Sequence, residues 1–193
     1  MTFGKRPGSS SMRRRYKVGD VFELPVQGGY AYVQITHQHK SRGEVVRLIR
    51  GVHSASSRNA RDVAHLPTQC VVLYLVGVAA DDGVARHVGH AEVPEADRRF
   101  PMFRQSIDIP PRPDSIWRVW SGEGDPVGVG RLTADLAKLP LNRNITNDDV
   151  VNIIEHQWIP EHGDYLFLPW AKDKPATRAK SGEIGRASCR ERV

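Results

Sequence analysis

A chain of 193 residues with 39% hydrophobic and 26% charged residues has the composition of one ordinary globular domain with ragged ends and one core of moderate size. Its formal net charge of +6 belongs to the ends: residues 1–15 hold Lys5, Arg6, Arg13, Arg14 and Arg15 without an acid, residues 183–193 are net +1, and residues 16–182 sum to zero. A neutral body argues against a nucleic-acid-binding function, because non-specific affinity scales with the phosphates that Lys and Arg neutralise.

The longest apolar run, Val71 to Ala80, is broken by Gly77 and falls short of the roughly 18 residues that suggest a membrane helix. No apolar stretch follows the N-terminal basic residues, so a secretory leader is not expected and a cytoplasmic location is. Cys70 and Cys189 lie too far apart in sequence and context to suggest a disulfide framework or a metal cluster.

Residues 1–15 read as a basic flexible arm, with Met12 an alternative start that would make residues 1–11 upstream sequence. Residues 16–170 read as a single domain, carrying three net negative charges once Lys172, Lys174, Arg178 and Lys180 are set against Asp173. Residues 171–182 read as a disordered tail. Residues 183–193, EIGRASCRERV, can be written in codons that reproduce a common sequencing adapter, so they are expected to be an artefact that needs no fold.

Tyr16 to Gln38 reads as two short strands around a Gly28-Gly29 turn, since glycine supplies the positive φ of a tight hairpin. Gly43 to Ile49 reads as a third strand, and Arg50 to Pro67 as a loop with one helical turn. Cys70 to Val78, rich in Val and Leu, predicts a central strand buried on both faces, with Val71, Leu73 and Leu75 in the core beside Phe22. Asp81-Asp82-Gly83 then predicts a hairpin turn into a strand over Val84 to Val93.

Prolines at 94, 101, 110, 111 and 113 predict a wrapping loop in which Phe100, Met102 and Phe103 plug the sheet edge. Ser115 to Ser121 reads as a strand, and Gly122 to Gly130 as a hairpin or loop. Thr146 before Asn147-Asp148-Asp149, with Val150, Val151, Ile153 and Ile154 behind, predicts a capped helix over Asn147 to Gln157 that docks on the sheet. Tyr165 to Trp170 predicts a last strand or edge contact. The fold class is therefore α+β, a mainly antiparallel β sheet with one C-terminal helix packed on it.

Few residues suggest chemistry. His37 and His39 share a strand face, and His87 and His90 are near one another, but no acid or thiol clusters with them in sequence, so no metal ligand is assigned. Cys70 reads as a buried structural thiol, Asp148 and Asp149 as capping acids, and Gly122 to Gly130 lacks the Lys-Ser/Thr of a phosphate loop. No catalytic, cofactor-binding or metal residue is expected, and no cofactor.

GDVFELP at 19–25, YAYVQI at 30–35, the apolar strand before a turn, VGHAEVP leading to FPMF, and PLNRNITNDDVVNIIEHQW at 140–158 occur in an order that resembles the immunity protein twenty-six family of bacterial polymorphic toxin systems. The resemblance covers residues 16–160 and implies an immunity-like domain that neutralises a cognate protein toxin by direct, non-catalytic binding, with no membrane or nucleic-acid partner and an oligomeric state left open. It departs from the family in its polar insertion around Ser54 to Arg61 and in its basic arm. The alternative reading is a small SH3- or Tudor-like β-barrel module binding a peptide or nucleic acid, which its aromatic strands would suit.

Overall fold

The computed structural model describes residues 16–57, 59–108 and 114–162. The expected arm, the strand at 165–170, the tail and the adapter-like segment lie outside the described residues. The described residues form an α+β fold that is mainly antiparallel, its strands divided between a sheet of five and a sheet of three.

The first hairpin follows the turn chemistry. Strand β1 (Asp20–Val26) pairs with β2 (Gly29–His39) from Val26 opposite Gly29, and Gly28 takes φ 86° in the two-residue turn. Gly29 is needed for a different reason: a Cβ there would stand 2.1 Å from the carbonyl oxygen of His53, whose backbone exchanges two 2.8 Å hydrogen bonds with Tyr30. Strands β3 (Gly43–Ile49), β4 (Thr68–Leu73) and β5 (Arg86–His90) complete the large sheet in the order β4-β3-β2-β1-β5, all antiparallel.

Side-chain alternation gives this sheet two unlike faces. Phe22, Leu24, Ala31, Val33, Ile35, Val46, Leu48, Cys70 and Val72 line an apolar face, covered by helices α2 (Val76–Asp81) and α3 (Asn147–Glu155). The opposite face carries Val21, Tyr32 and Ile49 under helix α1 (Ala60–Ala64), and Val45 and Leu73 under the small sheet. The small sheet has the order β6 (Phe103–Ser106), β7 (Trp117–Trp120), β8 (Val127–Gly130).

The expected central strand over Cys70 to Val78 is corrected. β4 ends at Leu73 and lies on the edge of the sheet, Val71 is only half-buried, and Leu75 is 41% exposed rather than in the core. The residues after Leu75 turn helical, and the Glu44 carboxylate at the start of α2 accepts the Gly77 amide (3.3 Å). An apolar run alone does not distinguish a strand from a short buried helix. Asp81-Asp82-Gly83 consequently ends α2 instead of making a hairpin: Gly83 has φ 76°, the Val84 amide returns to the Ala79 carbonyl (2.8 Å), and β5 pairs with β1, not with β4.

In the proline-rich stretch, Pro94 to Met102 wraps with one 3₁₀ turn at Glu95–Asp97, but Phe103 begins a strand. Phe103 is fully buried and Phe100 half-buried, whereas Met102 faces solvent and plugs nothing.

Helix α3 starts with a capping box: the Asp149 amide donates to Thr146 Oγ1 (3.2 Å) and the Thr146 amide to Asp149 Oδ2 (3.0 Å). It ends two residues before the expected Gln157, which instead adopts φ 50° in the left-handed region. There the Trp158 amide donates to the Ile153 carbonyl (2.9 Å) and Gln157 to that of Ile154 (3.1 Å), the pairing of a helix terminus that ordinarily takes glycine. Gln157→Gly is therefore expected to raise stability by about 0.5–1 kcal/mol, the left-handed cost removed less the extra freedom glycine gives the unfolded chain. Chemical denaturation checks this, and a loss of stability would mean that the Gln157 side chain contributes more than its backbone costs.

Candidate functional site

The polar side chains of the large sheet are concentrated on the face opposite α3, and most are spent on holding loops. The Glu23 carboxylate accepts from Tyr32 Oη (2.8 Å), Ser56 Oγ (3.1 Å) and Arg86 Nε (3.0 Å), and Arg86 also donates to the Ser57 carbonyl (2.9 Å). This cluster ties the polar insertion at 54–61 to β1, β2 and β5. Burial by itself pushes the Glu23 carboxyl up, but the hydrogen bonds from Tyr32, Ser56 and Arg86 outweigh it and hold the group below the usual carboxylate range. Because the folded value lies below the unfolded one, the stabilisation is present at neutral pH and is lost as pH falls through the folded value. Glu23→Gln is expected to flatten the decline of stability below about pH 4. Thermal melts across pH test this, and parallel curves for both proteins would remove Glu23 from the acid response.

The histidine candidates are placed as follows. His37 and His39 do share a face, and both are engaged there: His37 Nε2 lies 2.9 Å from the Arg98 carbonyl, its ring meets Phe100 edge-on at 5.1 Å, and the His39 ring stands on Trp120 at 4.9 Å. They help seat the small sheet. His87 and His90 converge on an acid the sequence reading missed, Asp20, whose Oδ1 lies 3.6 Å from His87 Nε2 and 3.2 Å from His90 Nδ1. The pairing of β1 with β5 sets Asp20 opposite His90, a juxtaposition hidden by their separation of 70 positions in sequence. Even so, among the described residues no three His, Cys, Asp or Glu side chains are arranged to hold a metal ion.

The other candidates take structural places. Cys70 is buried among apolar side chains, Asp149 completes the cap of α3, and Glu155 accepts the Gln27 amide (2.6 Å) of the first turn. Gly122 to Gly130 supplies a turn and β8, with Trp120 Nε1 donating to the Gly124 carbonyl (3.2 Å).

One surface has the make-up of a docking site, at the junction of α2 and α3. Leu75 and Val78, one helical turn apart, are 41% and 51% exposed and flank a pocket of about 210 Å³ closed by Tyr74, Ala79, Ile145, Thr146 and Asn147. Asp82 lines it, Asp81 and Asp148 are exposed next in sequence to the lining residues Asp82 and Asn147, and none of the three is ion-paired among the described residues. Glu44 lies beneath. Its burial outweighs the amides of Gly77 and Val76 and, with a smaller contribution from the Asp81 charge, raises its carboxyl above the usual range. Exposed aliphatic side chains with acidic neighbours suit a protein partner carrying positive charge.

Comparison of the chain with protein families, curated proteins and solved structures returns no match. Among the described residues no helix is long and apolar enough to cross a membrane.

Proposed function

We propose that this chain is an immunity protein that neutralises a cognate bacterial toxin by direct binding, without chemistry or a cofactor, and that it acts in the cytoplasm. The observation that carries the reading is the pocket at the α2–α3 junction, lined by Leu75, Val78, Ile145 and Asp82, with the exposed Asp81 and Asp148 next in sequence to its lining residues. Aliphatic anchors supply affinity once desolvated, and acidic neighbours steer a basic partner, the charge of a toxin that acts on nucleic acid. The ordered resemblance over residues 16–160 supports the same reading.

The test is co-expression with the C-terminal domain of a toxin encoded beside this gene, followed by pull-down. Rescue with a stable complex is expected, and Leu75→Asp or Asp82→Lys should abolish both while leaving the fold intact, since both side chains are exposed. Rescue that survives both substitutions would move the interface elsewhere. Absence of any complex would remove the immunity reading.

The strand order favours a second reading, a small peptide- or nucleic-acid-binding module of the SH3 or Tudor-like kind. The large sheet is a meander whose fifth strand returns beside its first, as in a small barrel, although among the described residues β4 and β5 share no ladder. Binding of RNA or peptide by the purified domain, with no toxin interaction, would select it.

A further inference from the structure

Most polar side chains on the α1 face of the large sheet are spent within the fold, but one group of three is not. The Arg61 guanidinium, on α1, makes neither a hydrogen bond nor an ion pair among the described residues. His65, one turn further on, has Nδ1 3.2 Å from the Arg61 carbonyl, and His90 on β5 has Nδ1 3.2 Å from Asp20 Oδ1. A carbonyl and a carboxylate can only accept, so both bonds place the ring proton on Nδ1. Nε2 of each imidazole is left without a partner among the described residues. All three side chains are exposed, and they line one cleft of about 690 Å³ between α1 and residues 90–94.

The rest of the lining sets the charge and size of the guest. Arg98 also lines the cleft and is already held, donating to the Val93 carbonyl (3.0 Å) and to Glu92, with Glu95 2.6 Å away. That bond takes Glu92, the acid in the lining, so the unspent groups are one guanidinium and two imidazoles. A ring with its Nδ1 proton held in this way is also how a metal ligand is presented, but a cation would share the lining with Arg61 and Arg98 and find Glu92 occupied. An oxyanion meets complementary charge instead, and three donors match the three terminal oxygens of a phosphate monoester better than the two of a carboxylate. The cleft is of the size of small-molecule sites and larger than a bare ion needs, and Val93 and Pro94 give it an apolar wall.

We propose that the cleft between α1 and residues 90–94 binds a small organic phosphate monoester, its oxygens on Arg61, His65 and His90 and its organic part against Val93 and Pro94. The site lies on the face of the large sheet opposite the α2–α3 pocket, and it does not depend on toxin binding. Because the Nδ1 bonds leave Nε2 bare, each imidazole takes up a proton before it can donate to the phosphate. The His90 imidazolium then stands between Asp20 and the ligand, two negative charges, while Arg61 and Arg98 oppose the added charge and Glu92 favours it. Binding is therefore coupled to proton uptake.

Isothermal titration calorimetry of the full chain with phenyl phosphate tests this, with benzoate as the carboxylate of the same ring. Phenyl phosphate is expected to bind about tenfold more tightly than benzoate, and more tightly than inorganic phosphate, which lacks the contact with Val93 and Pro94. Arg61→Ala should weaken binding about tenfold, the effect of losing one hydrogen bond to a charged group. Titrations in buffers of different ionisation enthalpy measure the protons taken up, and His65→Gln and His90→Gln should each lower that number. Circular dichroism confirms that the variants are folded, as expected for exposed side chains. A native chain that gives no binding heat at millimolar phenyl phosphate overturns the proposal, as does equal affinity for benzoate. Binding that is indifferent to Arg61→Ala and to both histidine substitutions would likewise overturn it.

Discussion

Arg47→Ala is expected to lower the unfolding free energy by about 3–5 kcal/mol, the range for removing one partner from a buried charged network. Arg47 is fully buried in β3, on the face opposite α3. Its Nε donates to Gln34 Oε1 (2.7 Å), one terminal nitrogen donates to the Leu66 carbonyl and Thr68 Oγ1 (both 3.1 Å), and the other donates to the Ala64 carbonyl. Asp97 stands 3.7 Å away and accepts from Thr68 Oγ1 (2.7 Å). Burial pushes the guanidinium down from its ordinary value, and the Asp97 charge opposes that shift.

The residue therefore joins the end of α1, the start of β4 and the Glu95–Asp97 turn to the centre of the sheet. Alanine would leave those carbonyls, Gln34 Oε1 and Asp97 short of donors. Lysine keeps the charge but lacks the planar fork, so Arg47→Lys should recover only part of the loss. Urea denaturation monitored by far-ultraviolet circular dichroism measures it. A loss below about 1 kcal/mol for alanine would mean that water replaces the guanidinium at little cost.

The readable and unreadable parts of this chain divide along a physical line. The Gly28-Gly29 hairpin, strand β3, the helical turn within 50–67 and the cap of α3 were legible because each is written in neighbouring residues: positive-φ glycines, alternation, and Thr146 with Asp149. What failed required contacts distant in sequence. Residues 74–81 coil with Val76 and Ala79 in the core and with Glu44, about 30 positions upstream, bonded to the Gly77 amide, and the partner of β5 depends on that helix reversing the chain. Two sheets replaced one because Phe103, inside a proline-rich stretch, begins a strand that pairs with Trp120. The candidate surface was hidden for the same reason: Leu75 and Val78 read as core from their apolarity, and only the helix turns them outward. The buried polar row was equally invisible, since Glu23, Gln34 and Arg47 look like the solvent side of amphipathic strands until α1 and the loops cover them.

The second large effect concerns the joint between the sheets. Phe103→Ala is expected to cost about 3–5 kcal/mol, as for other fully buried phenylalanines, because it removes transfer energy and leaves a cavity. Phe103 is sealed among Val45, Leu73 and Trp120, with ring centroids 5.9 Å from Phe100 and 6.0 Å from Trp120. Phe100 in turn lies so close to Gly122 that a Cβ there would approach its ring to 2.6 Å, which fixes the far side of the cluster. Strand β6 is tied to the 140–142 segment, and the Ile145 amide beyond it to β4, so loosening the joint should lower the stability of both sheets together. In a background with Trp158 and Trp170 changed to Phe, tryptophan fluorescence reports the small sheet through Trp117 and Trp120, and far-ultraviolet circular dichroism reports the whole. In Phe103→Ala the two transitions should shift to lower denaturant and remain coincident. A fluorescence transition that separates from the circular dichroism would show that the small sheet unfolds on its own, with the Phe103 contact acting as a dock between independent units instead of as part of one core.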